Sequence, residues 1–160
     1  MRGQRAKENF YKGYNCGQAV LLAFSDLTGL DEKTALKISA PFGGGVGRMR
    51  EICGTVSGML MVAGLLFYDA DHVTAAEKSA LYAREQELAS RFRKEFGSIV
   101  CRELLAGVGA DSSPQAEERT EQYYKKRPCP ELCFAAAEIL EAYLREEGIL
   151  PPEEERGDGQ

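Results

Sequence analysis

The chain has 160 residues, 44% of them hydrophobic and 28% charged, which is enough to bury a core within one domain. Its net charge of −5 argues against a general nucleic-acid binder, which would carry a basic face. The longest nearly apolar run, residues 56–68, falls short of the roughly 20 residues that span a bilayer, and residues 1–12 are polar, so the expectation is a cytoplasmic protein without membrane insertion.

Helical periods dominate the chain and strand signals are weak. Asn15-x-x-Gln18 is a capping box, opening a helix that carries Ala19, Val20, Leu22, Ala23 and Phe24 and stops at Gly29. Asp31 caps a short helix bearing Ala35, Leu36 and Ile38, which Pro41 and the following glycines break. Residues 53–66 have small side chains on several faces and almost no charge, the pattern of a buried central helix. Its Gly54, Gly58 and Gly64 let neighbouring backbones come close, in an intramolecular core or across a homodimer interface.

Residues 69–73 form a loop. Thr74-x-x-Glu77 starts a long amphipathic helix to Phe96, with Leu81, Leu88, Phe92 and Phe96 near one stripe. Gly97 ends it, and Ser98 caps a short helix through Leu105. Residues 107–115 are a loop, 116–126 a polar helix, and Pro128-Cys129-Pro130 leads into a helix over 131–147. The tail, 151–160, reads as disordered and acidic. The fold class is therefore all-α: a compact helical bundle, one domain over residues 1–150, with one glycine-rich loop leading into a buried central helix.

That loop, "FGGGVGRMREICGTVSG", holds six glycines and one cysteine in residues 42–58. It lacks the Gly-Lys-Ser/Thr end of a phosphate loop and the Gly-x-Gly-x-x-Gly of a dinucleotide site. Arg48 and Arg50 are candidates to hold an anion, against the alternative of a solvated loop. Cys53 stands where the loop gives way to the buried helix, and a helix start favours a thiolate through its free N–H groups and partial positive charge. The glycines then let chain segments approach the sulfur, which makes Gly44, Gly45, Gly47 and Gly54 the cofactor-binding candidates.

Five cysteines in a reduced compartment point to metal binding or redox work rather than structural disulfides. The alternative is that some are small buried hydrophobes. Cys16 follows the cap Asn15, Cys101 falls in the first turn after Ser98, and Cys129 sits at the cap between two prolines, so four cysteines stand at helix starts. Cys133 lies one turn beyond Cys129, either as a fifth sulfur or, as favoured here, as core beside Phe134 and Ala136. The single histidine, His72, reads as loop surface, and Glu51 as solvated rather than a base for Cys53.

Four blocks in order resemble one known family: "GYNCGQAVLLAF", "FGGGVGRMREICGTVSGML", "FRKEFGSIVCRELLAG" and "CPELCFAAAEIL". The family is the redox-active one named for the motif Cys…Gly-Cys-Ala-x-x-Gly…Cys…Cys, and the likeness covers roughly residues 8 to 145. Thr55 stands where the family commonly has alanine and places a hydroxyl near Cys53, and Cys133 is an addition. The resemblance implies redox activity at the cysteines. In a dihaem cytochrome with a similar domain, the cysteines have been suggested to hold an iron–sulfur cluster. Covalent haem is not expected here, since there is no Cys-x-x-Cys-His.

The expectation is a redox site built from Cys16, Cys53, Cys101 and Cys129, as catalytic groups or as metal ligands. It works through an iron–sulfur cluster, or by thiol–disulfide chemistry with no metal, and serves an unidentified redox partner. Four converging thiolates need a metal or pairing to relieve their repulsion. Against a metal stands the spacing, since the four lie 37, 48 and 28 residues apart with no Cys-x-x-Cys. The alternative is a non-catalytic zinc or iron module, and a plain helical scaffold ranks last.

Overall fold

A computed structural model describes residues 1–154 of the chain, and among these residues the protein is built from α-helices without a strand. Part of the expected acidic tail, residues 155–160, lies outside the described residues. The helices are α1 (Arg2–Tyr11), α2 (Cys16–Leu22), α3 (Ser25–Thr28), α4 (Glu32–Ser39), α5 (Gly54–Phe67), α6 (Ala75–Phe96), α7 (Cys101–Leu104), α8 (Glu121–Lys126) and α9 (Cys129–Glu146), with a 3-10 turn over Ala40–Phe42. Among the described residues, no helix is long and apolar enough to cross a membrane.

Several helix starts are set by side chains. Asn15 and Gln18 exchange the two hydrogen bonds of a capping box at α2. Asp31 caps α4, Thr74 caps α6, and left-handed glycines end α3 and α6 at Gly29 and Gly97.

The structure corrects the expected elements at five places. The polar N-terminus, for which no helix is predicted above, forms α1, whose Ala6 and Phe10 are buried against the rest of the core. Its first amides have partners on α9: Gly3 N donates to Glu138 at 2.9 Å and Arg2 N to Glu141 at 3.3 Å, carboxylates at a helix N-terminus. The helix expected to run to Gly29 stops at Leu22 and resumes as α3. Ser98 does not cap α7. Val100 is held extended by an isolated antiparallel bridge to Ile52, so the helix starts at Cys101, and Ser98 Oγ accepts from Val100 N instead. The helix expected over 116–126 starts only after Thr120, whose hydroxyl caps Tyr123 N. Before it, Arg119 reaches the carbonyls of Phe10 and Tyr14 at 3.2 and 3.1 Å, holding the segment to α1 and its exit. Finally, α9 begins at Cys129, not Glu131: Pro128 is the cap, and Pro130 stands in the first turn where its missing N–H costs nothing.

The core lies where α2, α5 and α9 meet, flanked by α1 and α6. Phe10, Phe24, Phe92, Met59, Leu88 and Leu140 are among its fully buried side chains. Helix α5 packs against α2, α6 and α9 within the chain, while Leu65 near its end is exposed. Its crossing with α2 is made at glycines: a Cβ on Gly58 would lie 2.9 Å from Gly17 O and 3.0 Å from Val20 Cβ, and one on Gly54 would lie 3.1 Å from Gly17 N. Two helix starts, α2 and α5, are thereby brought together.

Gly58→Ala should lower stability by about 1–3 kcal/mol through overpacking of this crossing. Gly64→Ala, in the same helix with nothing within 4 Å of a new Cβ, should gain up to about 1 kcal/mol from helix propensity. Urea unfolding of the two variants checks this, and shifts of equal sign and size would contradict the packing described.

Candidate functional site

The four cysteines read as site residues lie on different helices, and each stands at a helix start. Cys16, Cys101 and Cys129 are the first residues of α2, α7 and α9, and Cys53 is the cap residue of α5. The glycine crossing brings Cys16 towards Cys53. The bridge between Ile52 and Val100 brings Cys53 beside Cys101: Cys53 N donates to Ile99 O at 2.8 Å and Cys101 N to Glu51 O at 2.6 Å. All four side chains line one small cavity of about 50 Å³, and all four residues are buried. Cys133 is fully buried and does not line this cavity.

The glycine loop wraps this cavity in an unusual backbone. Five consecutive residues, Gly44 to Arg48, are left-handed, and Arg50 is left-handed too, at φ +60. Val46, Arg48 and Arg50 have a Cβ, so each left-handed turn there costs about 1–2 kcal/mol. Bonds from elsewhere hold the strain. Arg48 reaches Ser113 O at 2.5 Å, Arg50 Nε donates to Asp111 O at 2.8 Å, and Glu51 N returns to Gly45 O at 2.9 Å. At Gly45 the loop runs so close to the site that a Cβ would lie 2.6 Å from Cys101 Cβ. Of the other cofactor-binding candidates, Gly44 and Gly54 line the sulfur cavity, while Gly47 lies outside it, exposed.

The electrostatics are cationic. Arg50, Arg119 and Arg127 line the same cavity as the sulfurs. Arg50 is only 7% exposed and donates from Nη1 to Cys101 Sγ at 3.8 Å. Arg127 pairs with Glu117. Arg119 stacks on Phe10 and Tyr123, with its guanidinium 4.3 and 4.9 Å from the ring centres. Neither Arg50 nor Arg119 has a carboxylate within ion-pairing distance among the described residues, although Arg50 is buried. A buried cation without a counter-charge is costly, which marks the sulfurs as the anionic side of this site.

The thiols are tuned unequally. Cys16 is lowered to about 6, chiefly because the Cys129 thiol donates to it, helped by the Gly44 N–H and Arg119 and opposed by burial. Cys53 is pushed up to about 12 by burial and by the negative charge of Cys16. The Thr55 hydroxyl, 3.1 Å from Cys53 Sγ, pulls the other way. Burial raises Cys101, with Arg50 opposing, and Cys129 is raised well above the ordinary range by its bond to Cys16. Of the four thiols, Cys16 is the one shifted towards the thiolate.

Of the other residues considered, His72 is exposed, bonded to Asp69 at 2.5 Å, and does not line the cavity. Glu51 is exposed and pairs with Arg102 at 2.6 Å, while its carbonyl, not its carboxylate, serves the site. Arg119 and Arg127 were not foreseen. Arg119 lies in the predicted polar helix over 116–126 and Arg127 just after it, and only the fold turns them inward.

The family model described as "Putative redox-active protein (C_GCAxxG_C_C)" matches residues 14–143, and the chain belongs to that family. Neither the curated proteins nor the solved structures returned a match.

In the reduced, metal-free chain, ultraviolet thiolate absorbance should titrate one group with a midpoint near pH 6. Cys16→Ala should abolish that step, and Cys129→Ala should move it up towards the ordinary thiol value of about 8.5. The folded thiol ionises below its unfolded value. The stability it contributes is therefore present in full above about pH 8.5 and lost as pH falls through about 6. A midpoint unmoved in Cys129→Ala would contradict the pairing of these two sulfurs.

Proposed function

We propose that this member of the redox-active family holds an iron–sulfur cluster through Cys16, Cys53, Cys101 and Cys129 and carries electrons. The observation that carries the reading is the convergence of four thiols, from four helix starts, on one cavity whose buried Arg50 forms no ion pair among the described residues. The donor set suits the group, since four thiolates are the common ligands of both principal cluster types. A single zinc ion draws its sulfurs to about 2.3 Å from one point. Among the described residues, no three histidine, cysteine, aspartate or glutamate side chains are grouped closely enough to hold one ion. Four sulfurs around one cavity match the four-thiolate ligand set of a cluster.

A cluster bound here supplies a reversible one-electron couple. The protein's part is to hold it and set its poise. The helix starts present N–H groups and partial positive charge to the sulfurs. Arg50 at Cys101 and the Thr55 hydroxyl at Cys53 stabilise additional negative charge on the ligands and so favour the reduced form. Burial of all four cysteines keeps solvent and oxidants from the sulfurs.

A second reading is favoured by the placement of Cys129 in the same cavity as Cys16, whose thiol is lowered. In dithiol–disulfide exchange, the Cys16 thiolate attacks the disulfide of a partner and expels one partner thiolate. The Cys129 sulfur, deprotonated, then attacks Cys16 and expels nothing but the second partner thiolate, leaving a Cys16–Cys129 disulfide and a reduced partner.

Anaerobic purification with iron and sulfide counted per chain separates these readings. The cluster reading expects both elements, visible absorbance bleached by dithionite, at least a tenfold loss of iron on Cys→Ser at each of the four positions, and full retention in Cys133→Ser. Chain that stays colourless after anaerobic reconstitution, and loses two thiols on mild oxidation, would overturn it in favour of the dithiol.

A further inference from the structure

Outside the sulfur cavity lies a second, larger space of about 420 Å³, open to solvent. Four guanidinium groups line it: Arg48, Arg50, Arg119 and Arg127. Among the described residues its lining holds one carboxylate, Glu117, which pairs with both Arg48 and Arg127. Asp111 adds a second at 3.5 Å from Arg48. Neither Arg50 nor Arg119 forms an ion pair among the described residues. Several donors are left over as well: Arg50 Nη2, Arg119 Nε and Arg127 Nη1 have no hydrogen-bond partner among the described residues.

These donors are held in place. Arg119 is fixed by two backbone carbonyls and by the faces of Phe10 and Tyr123. Arg48 and Arg50 are set by the left-handed loop that is strained to place them. Fixed forks with spare N–H groups are suited to anionic oxygens, which they bind in pairs. Asn15, Gly44, Tyr123 and three of the arginines line both this space and the sulfur cavity, so an occupant would sit one layer of side chains from the cysteines.

We propose that this vestibule is a binding site for a small organic anion carrying two or more anionic oxygens, as phosphate or as carboxylate groups. The anion supplies the counter-charge that Arg50 and Arg119 lack. It enters from solvent over Tyr123 and the 113–117 segment, and it binds whether or not the sulfur cavity is loaded. The volume fits a metabolite rather than a polymer segment.

Calorimetric titration of the full chain, in metal-loaded and metal-free form, with pyrophosphate and separately with succinate, tests this at constant ionic strength set by chloride. One saturable site per chain is expected for at least one probe, at least tenfold weaker in Arg119→Gln and in Arg48→Gln, and unchanged in Arg91→Gln on the far surface, where Arg91 pairs with Glu146. Pyrophosphate alone binding assigns a phosphoryl ligand, and succinate alone a carboxylate. Should the arginine variants fail to fold, phenylglyoxal modification of the unaltered chain replaces them. Bound probe should then protect Arg119 and Arg127, and not Arg91, at least tenfold in rate. No saturable binding of either probe, binding unaltered in both folded variants, or equal protection at Arg91 would overturn the proposal. Binding to the metal-free chain would stand even where the cluster reading fails.

Discussion

Where α2 crosses α5, Gly17 faces Gly54 and Gly58 at distances that leave no room for a single added carbon. Helices with ordinary side chains stay 8–10 Å apart. Removing them at this point lets the two backbones close up and sets their N-terminal ends against each other. Cys16 and Cys53 are carried in by that approach. The short bridge from Ile52 to Val100 then fixes Cys101 beside Cys53, and α9, packed along α1, brings Cys129. The sulfur site is thus a consequence of how four helix starts are stacked, and needs no local ligand loop. That explains why the cysteines are so far apart in the chain, a spacing that would otherwise argue against a shared site.

Charge gives the second constraint. The site collects arginines faster than it collects carboxylates, and it spends backbone strain to do so, with Arg48 and Arg50 held in left-handed turns. In a buried setting such a surplus is stable only beside negative charge. The lowering of Cys16 towards its thiolate answers part of it. The four thiolates of the proposed cluster would, with their net negative charge, answer it better, and an anion in the proposed vestibule would add to it.

The sequence made the helical class plain, because capping residues such as Asn15, Asp31 and Thr74 and the stop at Gly97 act locally. Cys16 was legible for the same reason, whereas the caps expected at Cys101 and Cys129 were displaced by the bridge to Ile52 and by Pro128. What was hidden depended on distant partners. The helix α1 has little apolar pattern and is held by carboxylates on α9 and by the bidentate pair of Arg2 with Asp26. The late start of α7 reflects a bridge to residue 52, and that of α8 reflects Arg119 turning back to α1. Arg119 and Arg127 had no signal at all in the sequence, since nothing near them in the chain marks a charge that folds inward.

Anomalous diffraction at the iron edge, from crystals grown without oxygen, would locate the metal directly. The proposed cluster predicts more than one iron inside the sulfur cavity, within bonding distance of Cys16, Cys53, Cys101 and Cys129 and not of Cys133. A cavity free of iron, with Cys16 and Cys129 joined by a disulfide, would contradict it.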